Sequence, residues 1–468
     1  MPRVHAFTDD ALGRLDAVGV AEALSRRDVS ATEVIEAAIA RVELVDAELG
    51  AVAYRTFDRA RREAAGPRTG FFAGVPTLIK DNVDVAGVPT RHGTDAYVAS
   101  AARRNGELTA MLMKLGLISL GKSQLSEFGF SATAEHPRLG PVRSPWETEL
   151  PAGASSAGAA ALVAAGAVPI AHGNDGGGSL RIPASVTGLV GLKPTRGRVA
   201  QDAYYTLLPL RIVADGVLTR SVRDAAAFLR EAEKVHRDLA LPPVGAVSGP
   251  GRRLRIAVCT EVLDRRASPE VADLTMRTAS LLAELGHHVD RVAPPVPPTL
   301  PDDFILYWGS LALTVANSGP LRGRTWDRSR LDNLTRGLAD HTARHLRHLP
   351  GAILRLRRVA EIARGFHEAY DVLLTPTVAH ETQPLGYLAP DQEFAVVFER
   401  LLGWVAFTPW ANVTGGPAIS LPLATTASGR PQGMMFGAAS GQEATLLELA
   451  YELEAARPFP SLADDPGR

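Results

Sequence analysis

Two serines and a lysine, all in segments of small and apolar residues, are the residues of this chain best suited to chemistry. Ser155 and Ser179 are 24 positions apart, and Lys80 ends the apolar segment V-P-T-L-I-K. A serine attacks a carbonyl carbon only when a base removes its proton, and a lysine kept away from water can be that base. These residue types predict a Ser-Ser-Lys site for acyl transfer.

The glycines before Ser179 predict where the negative charge of such a reaction would be held. Gly176, Gly177 and Gly178 have no side chains to cover their backbone N–H groups. Together with the N–H of Ser179, these groups are the expected donors to an oxyanion.

Each reactive residue also has a structural interpretation. Ser179 could cap a helix after a glycine-rich turn, Ser155 could be chosen for close packing, and Lys80 could form an ion pair. Lysine usage favours chemistry at Lys80, since only five of the 50 basic residues are lysines. This chain builds its positive surface from arginine, which cannot replace lysine as a base.

Several ordered segments resemble the amidase signature family. Besides the serine and glycine segments, the resemblance is carried by G-L-K-P-T-R-G-R (191–198), T-R-S-V-R-D-A-A (219–226), D-V-L-L-T-P-T (371–377) and N-V-T-G-G-P-A-I-S-L-P (412–422). It covers most of the chain and thins only between about residues 235 and 365.

This resemblance assigns roles to the reactive residues. It implies that Ser179 forms the acyl-enzyme and that Ser155, after a cis peptide bond, passes the proton to Lys80. It also implies that three neighbours brace the site by hydrogen bonds: Ser156, Asp175 and Arg181. The chain departs from the family pattern at Ala154, Ala157 and Ala159, and at Asn174, where the pattern has Ser or Thr.

The fold implied by the resemblance is α/β, a single large domain whose central mixed β-sheet is covered by helices on both sides. The alternation of short apolar strands with helices independently favours an α/β architecture. We expect one domain over 1–468, with a catalytic core at about 65–235 and 366–456 and a variable, substrate-shaping segment at about 236–365. Aromatic residues are predicted to line the substrate pocket: Phe128, Phe130, Tyr204, Trp308, Trp326 and Trp410.

The expected substrate is a small molecule with a carbon–nitrogen acyl bond. The segment from 172 to 198 resembles most closely the branch of 6-aminohexanoate cyclic-dimer hydrolases, aryl-acylamidases and urethanase-like enzymes. That branch implies aryl, linear or oligomeric amides, with carbamates and aryl esters also accepted. One alternative is the amidase subunit of a tRNA-dependent amidotransferase, although R-I-P follows Ser179 where that subunit has R-Q-P.

A second alternative is a nucleotide-binding protein, because G-L-I-S-L-G-K-S (116–123) matches the phosphate-loop pattern G-x-x-x-x-G-K-[ST]. That mechanism needs an exposed loop followed by a helix. Here the four variable residues are Leu, Ile, Ser and Leu, which predict a buried strand instead.

Composition narrows the remaining possibilities. The net charge of −1 favours neither a nucleic-acid nor a membrane partner, and the single cysteine, Cys259, excludes an intramolecular disulfide. The first residues lack the apolar run of a signal peptide, so we expect a cytoplasmic protein, a monomer or homodimer. No metal or organic cofactor is expected, because the Ser179, Ser155 and Lys80 relay needs none. His341, His345 and His348 have helical spacing, but arginines lie between them and the pattern has no acidic partner, so they predict a solvated helix face.

Overall fold

A computed structural model describes residues 3–319 and 325–464 of the chain. The strands of the described ranges are β1 (Val52–Arg55), β2 (Pro76–Lys80), β3 (Ile118–Ser123), β4 (Glu135–His136), β5 (Gly140–Pro141), β6 (Ile170–Asp175), β7 (Val190–Lys193), β8 (Ala214–Thr219), β9 (Arg255–Val258), β10 (Glu261–Val262), β11 (Arg265–Arg266), β12 (His288–Arg291), β13 (Val372–Pro376), β14 (Ala418–Thr425) and β15 (Pro431–Ala438). The largest feature is an eight-stranded mixed sheet with the strand order β12-β9-β13-β15-β14-β7-β8-β6.

Helices connect these strands. The α-helices of the described ranges are Ala17–Arg26, Ala31–Leu49, Phe57–Ala64, Glu107–Lys114, Ala157–Ala164, Arg181–Thr187, Ala203–Thr206, Val222–Val235, Pro269–Glu284, Leu300–Ala316, Asn333–His345, Leu349–Ala369, Phe394–Trp404, Pro409–Thr414 and Glu443–Ala456. A capping box begins helix Ala31–Leu49, since the side chains of Ser30 and Glu33 each bond the other residue's backbone N–H. Within these ranges no helix combines the length and apolar character needed to cross a bilayer.

The central sheet buries both of its faces. Successive side chains of a strand point to opposite faces. One face packs against helix Arg181–Thr187: a Cβ on Gly191 would lie 2.5 Å from Ala184 Cβ, so only glycine allows this approach. The other face joins the main hydrophobic core with the leucines of helix Glu443–Ala456, through Leu192, Ile419, Leu421, Met434 and Phe436. The predicted α/β fold with helices on both sides is confirmed.

A smaller sheet, ordered β1-β3-β2, presents Lys80 to the site. β3 is formed by the residues of the phosphate-loop match, and it pairs parallel to β2. Lys122 of this match forms a buried ion pair with Asp81, with Nζ 2.9 Å from Oδ1. The pattern is therefore a core strand, as its apolar residues predict, and its lysine neutralises a buried carboxylate.

Candidate active site

A cavity of about 520 Å³ opens beside the end of β6, where Ser155, Asn174, Gly176, Gly177 and Ser179 all line its wall. The two serines, 24 positions apart in sequence, meet here because β6 returns the chain from the helix after Ser155 to the loop before Ser179. The structure therefore brings both predicted serines to one cavity.

Lys80 is the last residue of β2 and its side chain is fully buried. Its Nζ lies 2.7 Å from Ser155 Oγ, 3.0 Å from Ser156 Oγ and 2.7 Å from Asn174 Oδ1. Burial lowers the pKa of Lys80 to about 7, although the negative charges of Asp215 and Asp175 oppose this shift. A substantial fraction of this amine is therefore neutral near neutral pH, as a general base requires.

Ser155 and Ser156 stand immediately before helix Ala157–Ala164. The peptide bond between Ala154 and Ser155 is cis, as the resemblance implies. Ser156 Oγ donates to the backbone oxygen of Asn174 at 3.3 Å, which leaves its lone pairs to receive Lys80. Both hydroxyls thus contact the lysine.

Ser179 ends a glycine loop that follows β6, and its side chain is only half-buried. Within the described ranges, its hydroxyl has no hydrogen-bond partner, and the N–H groups of Gly176, Gly177 and Ser179 have no acceptor. The N–H of Gly178 differs, because it donates to Asp175 Oδ1 at 2.8 Å. Gly178 is therefore removed from the predicted oxyanion donors, since its N–H is already used to hold the loop.

Asp175 and Arg181 anchor this loop as a buried pair. Arg181 Nε and Nη2 donate to the two carboxylate oxygens of Asp175, both at 2.9 Å. Burial by itself would raise the pKa of Asp175, but the charge and hydrogen bonds of Arg181 outweigh burial, and the pKa falls below its usual value. The carboxylate therefore stays charged and holds the loop by accepting from Gly178 and from the N–H of Leu180.

Two residues absent from the sequence prediction complete this anchor. Asn412 Nδ2 donates to Asp175 Oδ1 at 2.8 Å, and its Oδ1 accepts from Arg181 Nη2 at 2.7 Å. Thr408 Oγ1 donates to the backbone oxygen of Gly177 at 2.5 Å. Asn412 begins the segment N-V-T-G-G-P, which contributes to the family resemblance, and this position was the only sign in the sequence that Asn412 could matter to the site. Its hydrogen-bond partners are revealed only by the fold.

His172 and Asp215 form a second buried pair, which adjoins Lys80. The backbone N–H of Lys80 donates to His172 Nδ1 at 3.1 Å, so the proton of the neutral imidazole is on Nε2. That Nε2 lies 3.1 Å from Asp215 Oδ1, and Gln201 donates to the other carboxylate oxygen at 3.0 Å. This arrangement holds a negative charge close to the lysine, and no sequence pattern indicated it.

Known proteins share both this architecture and these segments. The family model Amidase matches residues 33–447, which is most of the chain. The chain belongs to the amidase signature family. The resemblance noted from the sequence is confirmed.

Relatives within this family match the chain along nearly all of its length. A Mycobacterium leprae protein named "Putative amidase AmiC" is 60% identical over 462 residues, 98% of either chain. The 6-aminohexanoate-cyclic-dimer hydrolase of Paenarthrobacter ureafaciens is 34% identical over 483 residues, 95% of either chain. A solved structure of a 6-aminohexanoate cyclic dimer hydrolase complexed with substrate superposes with a TM-score of 0.86 at 31% identity, covering 98% of this chain and 99% of that one.

The cavity of this family member has both apolar and polar lining residues. Of the predicted aromatic residues, Phe128, Phe130, Tyr204 and Trp308 line it. Its apolar lining also includes Ile182, Phe304, Leu311, Val315, Leu401 and Val405, and its polar lining includes Asn82, Asp84, Arg104, Glu107 and Asp202.

Two aromatic residues predicted for the pocket, Trp326 and Trp410, are not in the cavity lining. In helix Pro409–Thr414, Pro409 faces the cavity, and Trp410 points elsewhere because successive helical residues are about 100° apart. Trp410 packs against two clusters, one containing Cys259 and Leu373 and the other containing Leu356 and Val359. Trp326 packs near Tyr97, with ring centroids 6.0 Å apart.

One group of side chains in the described ranges has metal-ligand types. The nearest ligand atoms of Glu127, His136 and Asp332 lie within 4.8 Å of one another. However, His136 Nδ1 accepts the backbone N–H groups of Arg138 and Leu139, at 3.1 and 2.9 Å. The imidazole proton is therefore on Nε2, which lies 3.5 Å from Asp95 Oδ1 and has no lone pair for a metal. This donor set does not suit a metal ion.

Proposed function

We propose that this chain hydrolyses the carbon–nitrogen bond of small amides through Ser179, Ser155 and Lys80. The observation that carries this proposal is the buried Lys80, whose Nζ lies 2.7 Å from Ser155 Oγ beside the cavity that also contains Ser179. A buried lysine with a depressed pKa next to two serines has a direct use as a base for acyl transfer. Relatives named 6-aminohexanoate-cyclic-dimer hydrolase and Acylamidase support the same chemistry.

The reaction proceeds by a proton relay. Ser179 Oγ bonds to the substrate carbonyl carbon, its proton passes to Ser155 Oγ, and the proton of Ser155 passes to Lys80 Nζ. The carbon–nitrogen bond then breaks, and the leaving amine takes the proton back along the same path. Water adds to the acyl-enzyme and releases the carboxylic acid and Ser179. The Ser179 hydroxyl has no hydrogen-bond partner among the described residues. Its hydrogen bond to Ser155, which completes the relay, therefore forms when substrate fills the cavity.

The negative charge of the tetrahedral intermediate is held by backbone groups. The N–H groups of Gly176, Gly177 and Ser179 belong to one loop at the cavity wall and have no acceptor within the described ranges. The buried Asp175–Arg181 pair fixes that loop before substrate arrives, so these dipoles do not reorganise during the reaction.

The cavity supports substrates with an apolar acyl or aryl part. Its volume of about 520 Å³ suits a small organic molecule, and its larger apolar lining suits an aryl or alkyl group. We propose aryl, linear or oligomeric amides as the main class, with aryl esters and carbamates as further substrates of the same relay. The segment from 236 to 365 contributes Phe304, Trp308 and Leu311 to this lining, in accord with a substrate-shaping role.

A substrate panel on purified protein tests the proposal. We expect hydrolysis of p-nitroanilides and aryl esters, and labelling of Ser179 by a fluorophosphonate, detected by peptide mass spectrometry. Glutaminase activity that depends on an added partner would favour the amidotransferase subunit instead. ATP binding without hydrolysis of any panel member would favour the nucleotide-binding alternative.

Trp308→Ala is expected to reorder the panel. Trp308 lines the cavity and packs on Phe130 and Phe304. Its loss should change the ratio of kcat/KM for aryl substrates to kcat/KM for small acyl substrates, by an amount equivalent to about 1–3 kcal/mol. A small activated ester should still be hydrolysed, because Lys80 and Ser155 are untouched. Trp410→Ala is the matched control, since Trp410 is not in the lining. An unchanged order in Trp308→Ala would show that this side chain does not contact substrate.

Asp215→Asn is expected to move the pH–rate profile to lower pH. Activity requires neutral Lys80, so kcat/KM rises as pH passes the pKa of Lys80. The negative charge of Asp215 raises that pKa, and its removal should shift the ascending limb down by about one pH unit. Asp84→Asn is the control. Asp84 lines the cavity, but its carboxylate accepts a hydrogen bond from Thr90 Oγ1 and is not among the charges that raise the pKa of Lys80. Equal shifts in both variants would contradict a specific effect of Asp215.

A further inference from the structure

Asn174 contacts the lysine of the site although the family pattern has Ser or Thr at this position. It lies on β6, two residues after His172, so both side chains are on the same face of that strand. His172 accepts the backbone N–H of Lys80, and Asn174 Oδ1 lies 2.7 Å from its Nζ. The two residues thus hold the lysine at its backbone and at its amine.

The number of hydrogens on the amine determines what this contact can do. A neutral amine has two N–H groups and one lone pair. Lys80 Nζ has three partners within 3.0 Å, which are Ser155 Oγ, Ser156 Oγ and Asn174 Oδ1, and a longer contact of 3.4 Å with the backbone oxygen of Asn174. A carboxamide oxygen can only accept. The hydroxyl proton of Ser156 is directed to the backbone oxygen of Asn174. Both of these partners therefore take an N–H, and the lone pair is left facing Ser155.

The orientation of the Asn174 carboxamide follows from the same chemistry. If it were rotated by half a turn, Nδ2 would face Nζ, and two donors would oppose each other. In the observed orientation Nδ2 is buried and no acceptor meets hydrogen-bond geometry among the described residues, although the Asn174 side chain also interacts with the Tyr205 hydroxyl. The orientation that places the carboxamide oxygen against Nζ is therefore the one that avoids opposed donors at the lysine.

We propose that Asn174 is a positioning residue for the reaction: its carboxamide oxygen holds one N–H of Lys80 so that the lone pair of Nζ points at Ser155. This inference rests on the proposed function, because it requires Lys80 to be the base. A threonine hydroxyl at this position could donate to the amine as well as accept from it. Asparagine removes that ambiguity and allows the proton to move only between Lys80 and Ser155.

Asn174→Leu tests the inference, because leucine has a similar shape and no acceptor. We expect kcat to fall by about 10- to 100-fold with KM unchanged within about twofold, since the base is misdirected while the cavity keeps its lining. The ascending limb of the pH profile should move to lower pH, because the ammonium form loses a hydrogen bond. Wild-type kcat together with an unmoved limb would overturn the proposal.

Two further variants separate positioning from folding. Asn174→Thr restores an acceptor and should recover most of the lost kcat; a value as low as that of Asn174→Leu would overturn the proposal. Asn174→Asp keeps the shape and adds a negative charge, so the limb should move to higher pH by about one unit. The other charged or titratable groups facing Lys80 are Asp215, Asp175 and His172, and they are the same in every variant.

A matched control and a reference variant complete the experiment. Asn333→Asp adds the same charge at an asparagine whose Nδ2 donates to the backbone oxygens of Asp391 and Gln392. The ascending limb of its pH profile should coincide with that of the wild type. If the limb of Asn174→Asp moved no further than that of Asn333→Asp, the contact with Lys80 would have no role. Ser179→Ala distinguishes the two levels of failure. If it is inactive while all Asn174 variants behave as wild type, only the present inference fails, and if it is active, the proposed function itself fails.

Discussion

Ser179→Ala is expected to lower kcat for amide hydrolysis by at least about 10³-fold, because the covalent acyl-enzyme can no longer form. The fold should be unaffected, since no side-chain hydrogen bond of Ser179 is lost within the described ranges. The measurement is kcat on a p-nitroanilide, together with a thermal melting curve. Any residual hydrolysis would come from the oxyanion donors and from binding alone.

The matched control for this variant is Ser131→Ala. Ser131 lines the same cavity, but its hydroxyl accepts the N–H of Thr133 and does not contact Lys80. We expect its kcat to stay within about threefold of wild type. If Ser179→Ala kept activity comparable with that of the control, or if a fluorophosphonate labelled another residue, Ser179 would not be the nucleophile.

Lys80→Arg is expected to be nearly inactive, with kcat reduced by at least about 10²-fold, although it keeps a positive charge. Arginine stays protonated at every working pH, so it cannot accept the proton of Ser155. In the wild type, activity should rise with pH through a midpoint near the pKa of Lys80, about 7. The sign follows from the base being active only when unprotonated. The pH–rate profile of kcat/KM provides the measurement.

Lys193 provides a stringent control for that profile. It too is buried, and burial lowers its pKa to about 7 as well, but its Nζ donates to the backbone oxygen of Pro194. Lys193→Met should therefore keep the ascending limb at its wild-type midpoint. If the ascending limb disappeared in Lys193→Met and persisted in Lys80→Arg, the base would be Lys193 and not Lys80.

The buried lysines show where inference from the sequence stops. Scarcity of lysine singled out Lys80, yet Lys122 and Lys193 are also fully buried. Each buried lysine has a different partner: a carboxylate for Lys122, a backbone oxygen for Lys193, and two hydroxyls and a carboxamide for Lys80. Since partners come from distant segments, the composition of a segment can indicate burial but not the use of the buried charge.

The pocket shows the same limit at the level of side-chain direction. Aromatic content drew attention to Trp308, which lines the cavity, but also to Trp326 and Trp410, which do not. A helix has several faces, and which of them meets the cavity depends on how the helix packs. Sequence spacing alone did not reveal that Pro409 would face the cavity and that its neighbour Trp410 would not.

The sequence by itself determined the family, the α/β fold and the identity of Ser155, Ser179 and Lys80 as candidates, because several short motifs in a fixed order and spacing do not coincide by chance. It also predicted that the phosphate-loop match would be a strand. Only the tertiary structure decided that Gly178 is not free to hold an oxyanion, that Asp215 and His172 lie beneath the lysine, and that Asn174 contacts its amine. These outcomes depend on hydrogen bonds between β2, β6 and β8, which exist only after the strands have been brought together.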